Sequence, residues 1–268
     1  MLELNRIYNM DCLEGMKGIS DESIDLILTD IPYNISKENN FKTMKDRRGR
    51  NGIDFGKWDK QFDIHSLGFL QRLLKKGGSL FLFHSFEQFG LLQGIFSELN
   101  FKDKIVWEKT NPMPRNRDRR WISNIEIASW YVKDGDKWTF NRQNDKYEGS
   151  VLRFPSESGG GFKRYHPTQK NLQMVEYIIK IHSNPGDLIL DPFMGSGTTA
   201  VACINTGRNF IGFELDEHYC EIANERIQKA LAEKRISETI SNQIELPEIE
   251  RNVPQRQFDW LDELLEGE

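Results

Sequence analysis

Short, dense apolar runs alternate along this chain with stretches whose apolar positions recur every three or four residues, and that alternation predicts most of its secondary structure. Ile24-Asp25-Leu26-Ile27-Leu28-Thr29, Ser79-Leu80-Phe81-Leu82-Phe83, Leu188-Ile189-Leu190 and Asn209-Phe210-Ile211-Gly212-Phe213 read as buried strands. A shorter strand is expected around Arg6-Ile7-Tyr8, and further ones at 101–107 and 125–132. Helices are expected from Asp11 to near Gly18, over 62–76 with a stop at Gly77-Gly78, over 86–97, from Leu172 to His182, from Ala200 to Asn205 and over 217–231. Strand, helix and strand in turn make the rhythm of an α/β protein, with a mostly parallel central sheet and helices on both faces.

Four stretches break the rhythm. Residues 37–58 are basic, rich in Gly and Asn and aperiodic, and a loop of that length is usually functional or disordered. Its Lys42, Lys45, Arg47, Arg48 and Arg50 are placed to meet phosphates. Residues 109–121 carry two prolines and Arg115, Arg117, Arg119 and Arg120, which suit phosphate contact and bidentate reading of guanine edges; a solvated loop tethered by Trp121 is the plainer alternative. Residues 134–165 mix aromatic and basic side chains around Ser158-Gly159-Gly160-Gly161, where substrate selection is expected. The last stretch, 232–268, is an acidic tail. The organisation expected is one catalytic domain over 1–231, with an inserted loop at 37–58 and a recognition region at 109–165, followed by the tail.

Charge and composition narrow the function. A net charge of −5 leaves any nucleic-acid contact to local basic patches. Cys12, Cys203 and Cys220 lie far apart and fit neither a zinc nor a disulfide spacing, which points away from a metal. The amino terminus lacks the apolar core of a signal peptide, and no apolar run reaches membrane-spanning length, so a cytoplasmic protein with no membrane partner is expected.

The strand at 24–29 ends in Asp30-Ile31-Pro32-Tyr33, a carboxylate, a stiff turn and an aromatic ring. The exocyclic amine of a base is a poor nucleophile because its lone pair is delocalised into the ring. Two acceptors for its N–H groups would localise that pair and stabilise the positive charge that develops on attack. Asp30 supplies one acceptor, and the Ile31 carbonyl, fixed in direction by Pro32, supplies the other. Tyr33 offers a face for a base taken out of its stack. On its own the tetrapeptide reads equally as a strand ending in a turn, and Asp11 as no more than a helix cap.

A second motif sits far along the chain. The strand ending at Asp191 runs into Pro192-Phe193-Met194-Gly195-Ser196-Gly197-Thr198-Thr199 and a helix, the arrangement that brings backbone close to an anionic ligand. The next strand ends at Glu214, about 20 residues on, where an acid hydrogen-bonds ribose hydroxyls. The turn lacks the full dinucleotide glycine spacing and there is no P-loop lysine, so a single carboxylate is the better fit for the anion.

Together with His166-Pro167-Thr168-Gln169-Lys170, these motifs resemble the amino-DNA methyltransferases in the β-group order, and within them the DpnA-type GATC adenine methyltransferases of restriction-modification systems. The resemblance covers roughly residues 5–230. It implies a Rossmann-like fold binding S-adenosylmethionine, DNA as partner, pairing as a homodimer, and methyl transfer to adenine N6. Asp30, Ile31, Pro32 and Tyr33 would be catalytic. The cofactor would be held by Asp11 and Cys12 at its adenine and by Phe193, Gly195, Ser196, Gly197 and Thr198 at its methionine and ribose end. Thr168 and Lys170 would lie near, Glu214 would take the ribose hydroxyls, and Asp30, Asp191, Pro192 and Leu215 would complete the contacts. The family pattern is Asp-Pro-Pro-Tyr for adenine and Ser-Pro-Pro-Tyr for cytosine N4, so Ile31 is a departure and Asp30 favours adenine. A cytosine-N4 enzyme, a non-catalytic regulator binding nucleotide and DNA, and a nicotinamide dehydrogenase are the rival readings.

Overall fold

Eight strands form one sheet in the order β1-β8-β7-β2-β3-β5-β4-β6, in a computed structural model that describes residues 2–33, 62–112, 121–135, 137–157, 165 and 169–243. The strands are β1 (Arg6–Asn9), β2 (Ile24–Asp30), β3 (Leu74–His84), β4 (Leu99–Lys109), β5 (Ile125–Lys133), β6 (Val151–Phe154), β7 (Leu188–Asp191) and β8 (Asn209–Glu214). The helices are α1 (Cys12–Met16), α2 (Leu70–Leu73), α3 (Phe89–Ile95), α4 (Leu172–His182), α5 (Thr198–Thr206) and α6 (Glu217–Gln243). Adjacent strands from β1 to β3 are parallel; β5 is antiparallel to both β3 and β4, and β6 runs parallel to β4.

Successive side chains of a strand face opposite sides of the sheet, so its core falls into two layers. Leu26, Leu28, Phe81, Phe83 and Ile189 pack with residues of α4, α5 and the first turns of α6. Ile24, Ile27, Leu80, Leu82, Leu190 and Phe213 pack with α1, α2 and the turn that precedes it. The sheet is thus covered on both faces, as the apolar runs predict.

Three elements differ from expectation. The helix expected over 62–76 is a 3-10 turn at Ile64–Phe69 followed by the single turn of α2, and β3 begins at Leu74. Leu74 is pulled into the sheet by pairing with Ile24; the register then shifts, and Gly77 takes a left-handed φ of 76°. Within the region expected to be irregular, Val151–Phe154 pairs with Val106–Lys109 to form the edge strand β6. The helix expected to end at 231 continues to Gln243. The chain divides into two compact units, Met1–Leu231 and Ala232–Glu268. No helix among the described residues is long and apolar enough to cross a membrane.

Candidate active site

Chain direction decides which side chains meet at one edge of the sheet. The parallel strands β1, β8, β7, β2 and β3 end there, delivering Asn9 to Asp11, Glu214, Asp191, Asp30 and His84. β5 runs the opposite way, so its start lies at this edge and brings Glu126 opposite Trp107, near the end of β4. Ligands of open α/β sheets bind outside the carboxyl ends of the strands.

The two sequence motifs are bonded to each other. β2 and β7 are neighbours, with Ile27 paired to Leu190, and the Thr29 hydroxyl donates to Asp191 Oδ1 at 2.8 Å. Asp191 also accepts from the Thr199 hydroxyl at 2.6 Å and from the Phe193 amide at 3.1 Å. One buried carboxylate therefore joins the Asp30 strand to both sides of the glycine turn. Burial pushes the Asp191 carboxyl up to about 6, against the pull of its three neutral donors.

The turn is shaped for close approach. Gly195 and Gly197 have left-handed φ of 55° and 83°. A Cβ on Gly197 would lie 2.8 Å from that of Ala223, so side chains are excluded where the turn packs on α6. A Cβ on Gly195 would meet nothing within 4 Å, so that side of the turn is open. The Gly195 amide donates to Glu214 Oε2 at 2.8 Å, and Glu214 Oε1 accepts from the Asp216 amide at 2.8 Å. Burial raises the Glu214 carboxyl above its ordinary value. From α6, Arg226 donates to the Ser196 carbonyl at 2.5 Å and to the Thr198 hydroxyl at 3.3 Å, closing the far side.

Asp30 sits in a different setting. Its Oδ2 accepts from Lys170 Nζ at 2.5 Å and its Oδ1 from the Tyr33 hydroxyl at 2.8 Å. Lys170 also lies 2.9 Å from Glu126, whose other oxygen is 2.6 Å from Lys109. Positive and negative charges thus alternate along Lys109, Glu126, Lys170 and Asp30. Burial works to raise Glu126, but Lys170 and Lys109 outweigh it and hold the carboxyl down at about 2. Burial prevails at Asp30, whose pKa lies above its ordinary value although Lys170 and Tyr33 pull it down. The backbone of the tetrapeptide is fixed on either side of the Ile31 carbonyl: the Ile31 amide donates to the Phe83 carbonyl at 3.2 Å, and the Pro32 carbonyl accepts from Gln88 at 2.9 Å.

Asp11 caps α1, accepting from the Leu13 and Glu14 amides at 2.8 and 3.3 Å. Cys12 is buried, and burial followed by the Asp11 charge pushes its thiol up to about 12. Pro192 is buried, Phe193 is partly covered and meets Phe62 edge-on, and Leu215 is exposed just past β8. Asp11, Cys12, Asp30 to Tyr33, Lys170, Asp191 to Thr198, Glu214 and Leu215 therefore come together at one edge. Lys170, expected beside the cofactor's methionine end, has its ammonium on Asp30 and Glu126. Thr168, Lys42, Lys45, Arg47, Arg48, Arg50, Arg115, Arg117, Arg119 and Arg120 lie outside the described residues. Trp121 is 96% exposed to solvent and, among the described residues, tethers nothing.

His84 is buried, donating from Nδ1 to the Ser85 carbonyl at 2.7 Å and accepting at Nε2 from the Ser129 hydroxyl at 2.8 Å; it is a satisfied structural histidine. Sequence reasoning missed Thr29, Lys109, Glu126 and Arg226. A signal for Glu126 exists, since an acid near the start of the otherwise apolar strand Ile125-Glu126-Ile127-Ala128 invites a cationic partner.

Residues 24–225 match the model of the DNA methylase family that covers N6 and N4 enzymes. The Type II methyltransferase M.HinfI of Haemophilus influenzae is 32% identical, over 92% of this chain and 74% of that protein. M2.MboI of Moraxella bovis is 31% identical, over 82% of this chain and 86% of its own length. Among solved structures, the complex of M1.HpyAVI with SAM superposes with a TM-score of 0.63 at 34% identity, covering 82% of this chain and 98% of the other.

Proposed function

Because this chain belongs to the DNA methylase family, and so is a DNA methyltransferase that uses S-adenosylmethionine, we propose that its acceptor is the N6 amino group of adenine. The observation that carries the reading is the Asp30 carboxylate, where a cytosine-N4 pattern has serine, at a strand end that the Thr29–Asp191 bond ties to the glycine turn across 162 residues of sequence. In this reading the acceptor half and the cofactor half form one site.

The residues present fit the cofactor. The open side of Gly195 leaves room for a ligand against backbone, and Asp30, Asp191 and Glu214 gather acidic side chains where a cationic molecule with a ribose diol would lie. When bound, that molecule supplies an activated methyl group on a sulfonium. In this reading Glu214 holds the ribose hydroxyls, Asp11 and Cys12 flank the adenine, and the turn from Phe193 to Thr198 lines the remainder. Asp30 and the Ile31 carbonyl hold the acceptor amine, stabilising positive charge as it develops there, and Tyr33 receives the ring. Holding both reactants in attack geometry carries much of the rate. The single domain 1–231 would grip phosphates through the basic residues of 37–58 and 109–121. The motif likeness supports a DpnA-type enzyme of the β group acting at GATC, as the modification member of a restriction system.

The test supplies labelled cofactor with randomised duplex and single-stranded DNA, then digests the product to nucleosides. N6-methyladenine is expected, and sequencing of the modified positions reads the target site. Methylcytosine as the sole product overturns the acceptor.

A further inference from the structure

Lys170 stands between two carboxylates, Asp30 at 2.5 Å and Glu126 at 2.9 Å. A lysine paired with Asp30 alone would neutralise the group that, in the function proposed above, must accept hydrogen bonds and face a developing positive charge. Glu126 competes for the same ammonium, and it is itself anchored from β4 by Lys109 at 2.6 Å. We propose that Glu126 is a positioning residue: by sharing Lys170 with Asp30, it keeps the catalytic carboxylate in place while leaving its negative charge available to the acceptor amine.

The inference rests on Asp30 being catalytic, and on geometry of the sheet that does not depend on the ligand. Glu126 reaches the site only because β5 is antiparallel to β3, so that Ile127 pairs with His84 at the edge where β2 ends. Among the described residues, the charged and titratable groups facing Asp30 are Tyr33 following β2, Lys170 preceding α4, Glu126 on β5 and Asp191 on β7, with Lys109 on β4 behind Glu126. Of these, Glu126 and Lys109 bear opposite charges and neither bonds to Asp30. They therefore act on it in opposite senses. Loss of the Glu126 charge lets Lys170 settle on Asp30 and lowers its pKa; loss of Lys109, which leaves the Glu126 charge without its second partner, is expected to act the opposite way.

The experiment uses the full chain with Glu126→Gln, Lys109→Met and Asp30→Asn. The Asp30 carboxyl carbon is followed by carbon NMR, assigned by its disappearance in Asp30→Asn, beside the pH profile of methyl transfer. Glu126→Gln is expected to move the Asp30 titration and the acid limb of kcat down by about one pH unit, with kcat about tenfold lower. Lys109→Met is expected to move both up, and it reads the same chain of charges where Glu126→Gln fails to fold. Titrations that stay in place while rates fall uniformly overturn the proposal and leave Glu126 a structural residue. Turnover retained in Asp30→Asn instead removes Asp30 from the mechanism, a separate failure.

Discussion

At the ends of two neighbouring strands, Asp30 and Asp191 are carboxylates that the chain treats in opposite ways. Asp191 is 4% exposed and held by neutral donors, two hydroxyls and one amide. Asp30 keeps 24% of its side chain exposed and is held by an ammonium and a phenol. A carboxylate closed off among dipoles builds structure, because three of its roughly four acceptor positions are already used inside the protein. One left partly open beside a shared cation keeps acceptor capacity for something that arrives. Both have raised pKa values through burial, so the shift alone would not distinguish them; the identity of their partners does.

The contrast breaks most clearly at Asp30. Asp30→Ala should lower methyl transfer by about 10³-fold, the upper range for losing an electrostatic contact to the reacting centre. Cofactor binding measured by calorimetry should change little. Asp191→Ala should act on the fold instead, leaving the Thr29 and Thr199 hydroxyls and the Phe193 amide without their acceptor, at a cost of about 3 kcal/mol in urea unfolding.

The pH dependence of stability sharpens the difference. Asp191 titrates near 6 when folded against an ordinary 3.8, so between these values the native state holds more protons than the unfolded one. Its contribution is fully present below the unfolded value and is lost as pH rises through 6, a fall of about 3 kcal/mol. Asp191→Asn should flatten that segment of the curve of urea midpoint against pH. The smallest effect is expected from Thr29→Val, which removes a single donor and should cost about 1 kcal/mol while leaving Asp30 chemistry nearly unchanged.

The strands and the turn were legible because their signals are local. Dense apolar runs mark β2, β3, β7 and β8, and Gly195 and Gly197 occupy positions whose φ restricts most side chains. The juxtaposition of Asp30 with the turn was legible only through motif order, since no local pattern joins residues so far apart. The helix expected at 62–76 failed because Leu73 and Leu74 fit both an amphipathic helix and a buried strand, and pairing with Ile24 decided for the strand. The edge strand β6 is four residues long and pairs on one side with β4, too brief to show a period. The role of Glu126 was hidden for a different reason: an acid in an apolar strand signals a cationic partner, but Lys170 and Lys109 approach it from separate segments that no local pattern names.

The strand order has a consequence for synthesis. β2 lies in the middle of the finished sheet, yet its neighbour β7 is made some 160 residues later, and β1 finds its partner only when β8 appears. While the ribosome is still extending the chain toward residue 188, the nascent protein carries one flank of a largely buried central strand unpaired, an invitation to aggregate. A chain cut short before residue 188 therefore lacks β7, the glycine turn and β8 together.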